Sequence, residues 1–325
     1  MSEINLAILL ASIVAGAAPI VLAAVGETIT EKSGVINLSL DGSILLSAMV
    51  AFMVAYETRS LALGFSAGAI VGGLVAAVVG VFSIYLGQSQ VAVGFVLTLT
   101  LRDLAYFFGN PYSRLYGPQV SPWPIPYLHN VPLLGQVLFN QTSIVYVSML
   151  VIALCWFYLY RTPMGLYLRS VGEHPEAAYA RGTDSRRIQL WYAIAGGFLV
   201  GLAGATFSLC TKPGWGRPQG AEGTGWIALA IVIFGGWHPV KAALGAYLFA
   251  FLQVMGIHFQ ELWPSVPAQV FQVAPFPLMI FTLILMHTAE HGYTEKTDKD
   301  YWLNRIAKLL SSSAPAALGR AFRPE

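Results

Sequence analysis

Residues 161–204 read RTPMGLYLRSVGEHPEAAYARGTDSRRIQLWYAIAGGFLVGLAG, the longest charged interruption in an otherwise oily chain. Five arginines, Arg161, Arg169, Arg181, Arg186 and Arg187, fall within its first 27 residues. An apolar run, 144–160, leads into it and another, 190–209, leads out. A basic loop between two such runs belongs on the cytoplasmic side of a membrane. Its local chemistry favours a short helix over 174–181. Pro175 suits a first helical position, where a missing N–H costs nothing. Glu173 and Glu176 set negative charge at the positive end of the helix dipole. Ala177, Ala178 and Ala180 have high helix propensity. Gly182 suits the residue after the helix end, and Asp184 the N-cap of the next segment. The product is about two turns with a small-residue face that allows close approach of a partner; the plain alternative is a solvated loop.

Outward from this stretch, the composition decides the class. The 325 residues are 56% hydrophobic and 10% charged, against about 25% charge in a soluble domain. The chain is therefore an integral membrane protein. A net charge of +2, with no basic domain, points away from nucleic acid. The start, MSEINLAILL, lacks the basic region of a secretory signal, so the first apolar run is expected to be retained as a span. Cys155 and Cys210 both lie in or beside apolar runs, which argues against a disulfide or metal framework.

A helical span needs about 20 largely apolar residues. Nine stretches qualify or come close: 6–25, 35–56, 61–82, 90–109, 143–160, 189–209, 225–237, 241–258 and 271–287. None shows the alternation of a β-barrel. The expected fold is all-α, a polytopic membrane helical bundle with about 8–10 spans, with 35–56 and 225–237 candidates for broken or re-entrant segments. Gly68 and Gly72 form a GxxxG pair, extended by Ala76, which favours close helix packing over a glycine-lined pore. AIVGG at 69–73 is echoed by AIAGG at 193–197.

Basic residues set the orientation. Residues 161–188 and the tail from 288 are expected in the cytoplasm, and the proline-rich loop 110–142 outside; counting spans then puts the N-terminus outside. The division is a transmembrane domain over 1–290 and a cytoplasmic tail over 291–325. Within the tail, 300–310 reads as an amphipathic helix, and 311–325 as disordered.

Polar residues in or near the spans mark a candidate translocation path. Segment 26–43 is polar and opens directly into a span; discontinuous helices of this kind line binding sites in transporters. Asn37, Ser39 and Asp41 would then face a cavity; alternatively Asn37 and Asp41 are caps of an ordinary turn. Gln90, with Gln88, begins the fourth run and can bond a neighbouring helix or a ligand; the alternative is an anchor at the membrane interface. Arg102 and Asp103 are ionisable groups within a run, where charge is costly and tends to pair or face water. Adjacent helical residues point about 100° apart, so they need not pair with each other. The alternative places them at the outer interface. Residues 210–224 form a glycine-rich external loop with Lys212, Arg217 and Glu222, either a contact for a delivery protein or a flexible connector. Trp237-His238-Pro239 reads as an interfacial anchor, with His238 too isolated for a metal site.

No GxxxxGK[ST], GxSxG, HExxH or CxxC occurs, so the chain carries no P-loop and no recognisable catalytic or metal set. A passive conduit driven by another subunit fits that pattern.

Gly172-Glu173-His174-Pro175-Glu176-Ala177-Ala178, with Gly182 following, resembles the cytoplasmic coupling segment of ABC importer permeases. The likeness is to the branch that carries nucleosides, simple sugars and, more distantly, branched-chain amino acids. Three further stretches are similar to that branch: Glu31 to Gly42 (EKSGVINLSLDG), Gly196 to Ala205 (GGFLVGLAGA) and Trp226 to Pro239 (WIALAIVIFGGWHP). Together they span about residues 17 to 287. Asp41 stands where Glu is commoner, Thr183-Asp184 replaces an apolar pair, and Arg102-Asp103 lies in a helix that is mostly apolar in the branch. The resemblance implies a permease with no cofactor and no enzyme activity of its own. It also implies a bacterial inner-membrane location and partners: an ATPase bound at 172–182, a second permease copy or a related permease, and an extracytoplasmic binding protein. The rival reading is an ion-coupled secondary transporter, with Asp41 and Asp103 as its coupling carboxylates.

Overall fold

In a bilayer every backbone N–H and C=O has to find its partner within the protein, and a helix does this within one segment. The computed structural model describes residues 6–263, 265–266, 270, 273, 277, 281, 314–320 and 322. The helices, in chain order, are α1 (Leu6–Lys32), α2 (Leu40–Thr58), α3 (Leu61–Gly80), α4 (Gln90–Gly109), the short α5 (Leu134–Leu138), α6 (Ser143–Arg161), α7 (Pro163–Glu173), α8 (Pro175–Ala180), α9 (Ser185–Thr206), α10 (Thr224–Phe234) and α11 (Pro239–Leu262). Among the described residues seven helices are long and apolar enough to cross a membrane: α1 to α4, α6, α9 and α11. One π-helical turn, Val81–Tyr85, extends α3, and another, Phe207–Thr211, extends α9. The expected polytopic all-α bundle is found.

The boundaries differ from expectation in three places. The first span runs on to Lys32 instead of stopping near 25, because the polar residues 27–31 are buried by neighbouring helices. The second begins at Leu40, after an irregular connection. The stretch 225–237 supplies only the 11 residues of α10, about 16 Å of helix and roughly half a bilayer core. The expected amphipathic helix at 300–310 lies outside the described residues, as does 271–287 apart from 273, 277 and 281.

The central helix is α9. It packs against α1, α2 and α3, and small residues let these backbones meet. Gly68 and Gly72 of α3 face Gly197 and Gly201 of α9, and a Cβ on Gly72 would stand 2.6 Å from the Gly201 Cα. Such an approach excludes any side chain from the contact. The expectation of packing over a pore holds for this pair, and the two echoed stretches meet across it. On the α1 side, a Cβ on Gly26 would lie 2.6 Å from the Gly196 carbonyl oxygen.

The two ends of α1 mark the two ends of the bundle. Near its start, the Gln141 side-chain amide donates to the Ala11 carbonyl at 3.1 Å. At its finish, the Lys32 carbonyl backs onto Gly172. A 27-residue helix is about 40 Å long. Loop 110–142 and the arginine-rich segment therefore occupy opposite ends, and the start of α1 is on the loop's side. That loop is folded, with the Trp123 N–H donating to Gln141 O and the Ile125 N–H to Phe139 O, each at 2.9 Å.

Candidate coupling and translocation site

Helix α8 is assembled from local signals. Pro175 occupies its first turn, with Glu176 beside it. The Gly182 N–H donates to Tyr179 O at 2.8 Å and the Thr183 N–H to Ala178 O at 3.1 Å, the paired bonds of a Schellman closure. Gly182 holds φ at +86°, a conformation that favours glycine. Asp184 then caps α9 by accepting the Arg187 N–H at 3.2 Å. Its surface is divided: Pro175 and Ala178 are buried, whereas Glu176, Ala177, Tyr179 and Ala180 are exposed. Gly172 is buried at the end of α7, His174 is exposed at the α7–α8 junction, and Gly182 is exposed. Glu173 ends α7, directly before the α8 N-cap His174, and its carboxylate has a further partner in the Ala316 N–H, at 3.1 Å.

The connection between α1 and α2 is a buried irregular segment, tolerable at membrane depth only where protein covers it. Its polar groups are largely paired. The Asn37 N–H donates to a Glu27 carboxylate oxygen at 3.1 Å. The Asn37 side-chain oxygen accepts the Ser39 N–H at 3.1 Å and the Ser39 hydroxyl at 2.5 Å. The Gln90 side-chain oxygen accepts the Ile36 N–H at 2.7 Å, and the Thr98 hydroxyl donates to Leu38 O at 2.7 Å. Thr98 lies eight residues along α4 from Gln90, about 12 Å, so the start of α2 sits well inside the bundle.

Here two helices begin together. The Gly225 N–H, in the first turn of α10, donates to an Asp41 carboxylate oxygen at 3.1 Å. A Cβ on Gly225 would lie 2.7 Å from the Leu40 carbonyl carbon. Asp41 is thus shared by the positive ends of α2 and α10, the environment that favours an anionic group. Helix starts that converge inside the bundle, one of them on a short helix, are a feature that transporters use at binding sites. Asn37 and Asp41 lie around this point, whereas Gln90 bonds the connection farther back, at Ile36. Arg102, on α4, lies close enough to Asp41 for their charges to attract, but Arg102 and Asp103 are far more exposed than Asp41. They pair with each other at 3.5 Å, with side-chain exposures of 45% and 75%, on the outward side of the bundle beside the exposed Phe107 and Phe108.

Comparison with known proteins places the chain in a family. Residues 9–283 match the model of the family described as branched-chain amino acid transport system / permease component. The chain belongs to this permease family. It is 37% identical over 258 residues to a putative glucose ABC transporter permease of Haloferax volcanii, covering 78% of each chain. It is 31% identical over 283 residues to a guanosine ABC transporter permease of Bacillus subtilis, covering 82% of this chain and 88% of the relative. It is 29% identical over 303 residues to a nucleoside ABC transporter permease of Lactococcus lactis, covering 88% and 93%. No solved structure matches the chain. The protein is a multi-pass membrane permease subunit, in a family of transport components rather than enzymes.

The permease carries buried acids that the sequence did not single out. Glu27 and Glu31, one helical turn apart on α1, are both buried, and the Trp237 indole N–H donates to the Glu31 carboxylate. This corrects the reading of Trp237 as an interfacial anchor: it is buried because a buried carboxylate requires a donor. His238 stacks on Tyr160, ring centres 5.0 Å apart, and Arg169 lies over the other aromatic partner of that cluster, 5.1 Å from the Tyr160 ring centre. A further helix, α7, was also missed. Its signal was Thr162-Pro163, an N-cap followed by proline, and the Thr162 hydroxyl accepts the Gly165 N–H at 3.1 Å.

The loop at 210–224 is folded rather than a flexible connector. Trp215 is 4% exposed and packs 5.7 Å from the Tyr106 ring, while Arg217 covers that ring at 4.9 Å. Glu222 accepts the Gln219 N–H at 2.7 Å, the Gly220 N–H at 2.6 Å and the Tyr106 hydroxyl. Burial alone would raise the Glu222 carboxyl; the hydrogen bonds from Tyr106 and the loop N–H groups outweigh it and hold it below the usual range. A depressed folded-state value means that ionised Glu222 supports the fold above the ordinary carboxylate range, and that this support is lost as pH falls through the folded value. Protection factors of the Gln219 and Gly220 amides, taken against the intrinsic exchange rate at each pH, should therefore fall on acidification, and Glu222→Gln should lower them at neutral pH. Equal protection in both proteins at pH 7 would contradict this account.

Proposed function

We propose that this chain is the membrane-spanning subunit of an ATP-driven importer in a bacterial cytoplasmic (inner) membrane, carrying a nucleoside or a related sugar compound. The reading is supported most by one feature: α8 offers an exposed face of Glu176, Ala177, Tyr179 and Ala180, and the chain then enters the central helix α9 directly. A cytoplasmic ATPase seated on α8 would act on the helix that contacts α1, α2 and α3. Two permease copies, or this chain with a related one, would each receive one ATPase, and an extracytoplasmic binding protein would deliver substrate at the opposite end. The names of the relatives support nucleosides and glucose as the compounds to try first. Asn37, Asp41 and Gln90 are proposed to border the path. Arg102 and Asp103 belong to it only if a second copy covers their exposed face.

The test is uptake into proteoliposomes holding the permease, its ATPase and its binding protein. Labelled guanosine and glucose are supplied separately, with ATP enclosed or omitted. Uptake of one of them should require ATP and survive ionophores that collapse ion gradients. Uptake that ignores ATP and stops with the ionophores would establish ion-coupled transport instead.

A further inference from the structure

The tail does not follow the expectation of disorder over 311–325. Residues 314–320 and 322 are built into the arginine-rich end of the bundle. The Ala317 N–H donates to Gly172 O at 3.0 Å, and the Gly319 N–H donates to Gly34 O at 3.0 Å. The Ala316 N–H donates to the Glu173 carboxylate at 3.1 Å. Phe322 places its ring 5.5 Å from that of Tyr179 on α8, and Ala317 and Phe322 are both buried. The matched family region ends at residue 283, so this turn is an addition to the part that the family model describes.

We propose that the turn at 314–322 is a tie that transmits motion of the coupling helix to the α1–α2 connection. The proposal rests on the reading of α8 as the seat of the ATPase. The tail holds both elements through its backbone: Gly172 and Glu173, immediately before α8, on one side, and Gly34, three residues before Asn37, on the other. Gly172 also touches Lys32 directly. A van der Waals contact resists compression steeply, but its attraction is weak and a gap of about 0.5–1 Å forfeits a quarter to a half of it. Hydrogen bonds through a third segment add to the resistance to separation. The tail thereby strengthens in tension a contact that is strong mainly in compression. Its fit is close: Gly319 adopts φ +75°, and a Cβ there would stand 2.8 Å from Ile36 Cδ1. Through Ile36 and Gly34 the turn reaches the segment that sets the start of α2 and the position of Asp41.

The experiment uses the complete transporter in proteoliposomes, with two variants of the permease. One ends at residue 313. The other carries Ala317→Pro and Gly319→Val, which remove the donor to Gly172 and introduce a side chain against Ile36. Both should retain the ATPase and continue to hydrolyse ATP, while substrate taken up per ATP falls by about tenfold or more, the scale of a typical coupling free energy. If truncation lowers the yield, the double variant carries the test. Unchanged uptake per ATP would overturn the proposal. Loss of the ATPase from the complex would overturn it too, because the tail would then belong to the seat itself. Failure of the α8 reading shows elsewhere, in an Ala177→Arg transporter that stays assembled and active.

Discussion

Ala177→Arg is expected to leave the permease folded and to strip the ATPase from it. Ala177 is exposed on α8, and arginine is nearly as good a helix former as alanine. A surface change of this kind costs the fold about 0.5 kcal/mol or less. At a close-packed small-residue contact the same change inserts a long charged side chain where a methyl group sat. A loss of about 3 kcal/mol there weakens association roughly a hundredfold. Affinity purification should return permease without ATPase, with normal size-exclusion behaviour and no ATP-dependent uptake. The neighbouring residue is the wrong one to use, although the sequence offers both alike. Ala178 is only 7% exposed and faces the permease itself, so arginine there would bury a cation in its own chain and confound misfolding with lost docking. An Ala177→Arg transporter that retains its ATPase and transports normally would refute the docking role of α8.

The second large effect concerns the fold. In Gly201→Val, the new Cβ would collide with the Gly68 carbonyl oxygen and stand 2.9 Å from the Ala69 Cα. Backbone cannot swing aside as a side-chain tip can. The cost should reach or exceed the upper end for overpacked cores, about 3 kcal/mol, a large share of a net stability on the order of 5–15 kcal/mol. Thermal midpoint and monodisperse yield should fall sharply. Gly16→Val is the control: it lies in α1, and a Cβ there meets nothing within 4 Å. Equal behaviour of the two variants would show that α3 and α9 are not in backbone contact.

How much of this could be read from the chain depended on the range of the interaction. Helix α8, its closing Gly182 and the Asp184 cap were legible because each signal lies within a few residues of what it controls. The glycine faces were legible as packing surfaces from the GxxxG spacing. Helix α7 was less legible because its start rests on the single pair Thr162-Pro163 and its two glycines, Gly165 and Gly172, lower its helix propensity. What stayed hidden was pairing between distant segments. Glu173 was legible as a charge before α8, but not as the partner of the Ala316 N–H, 143 residues away. Trp237 looked like an interface anchor, but its partner is Glu31, 206 residues away. The tail appeared free because its partners are distant in sequence, and two of them, Gly172 O and Gly34 O, are backbone carbonyls that carry no residue type to recognise.

The glycine joint between α3 and α9 limits how this machine can move. Sliding one helix along the other would drive the side chains that flank each glycine into the opposite main chain. The two should travel together as one slab, with their relative axial position unchanged through the cycle. Displacement must then be taken up at seams lined by larger side chains, such as the border of α6, which buries Ile144, Val145 and Leu159. A pair of cysteines joining α3 to α9 should leave turnover intact, whereas one fastening α9 to a helix across such a seam should stop it.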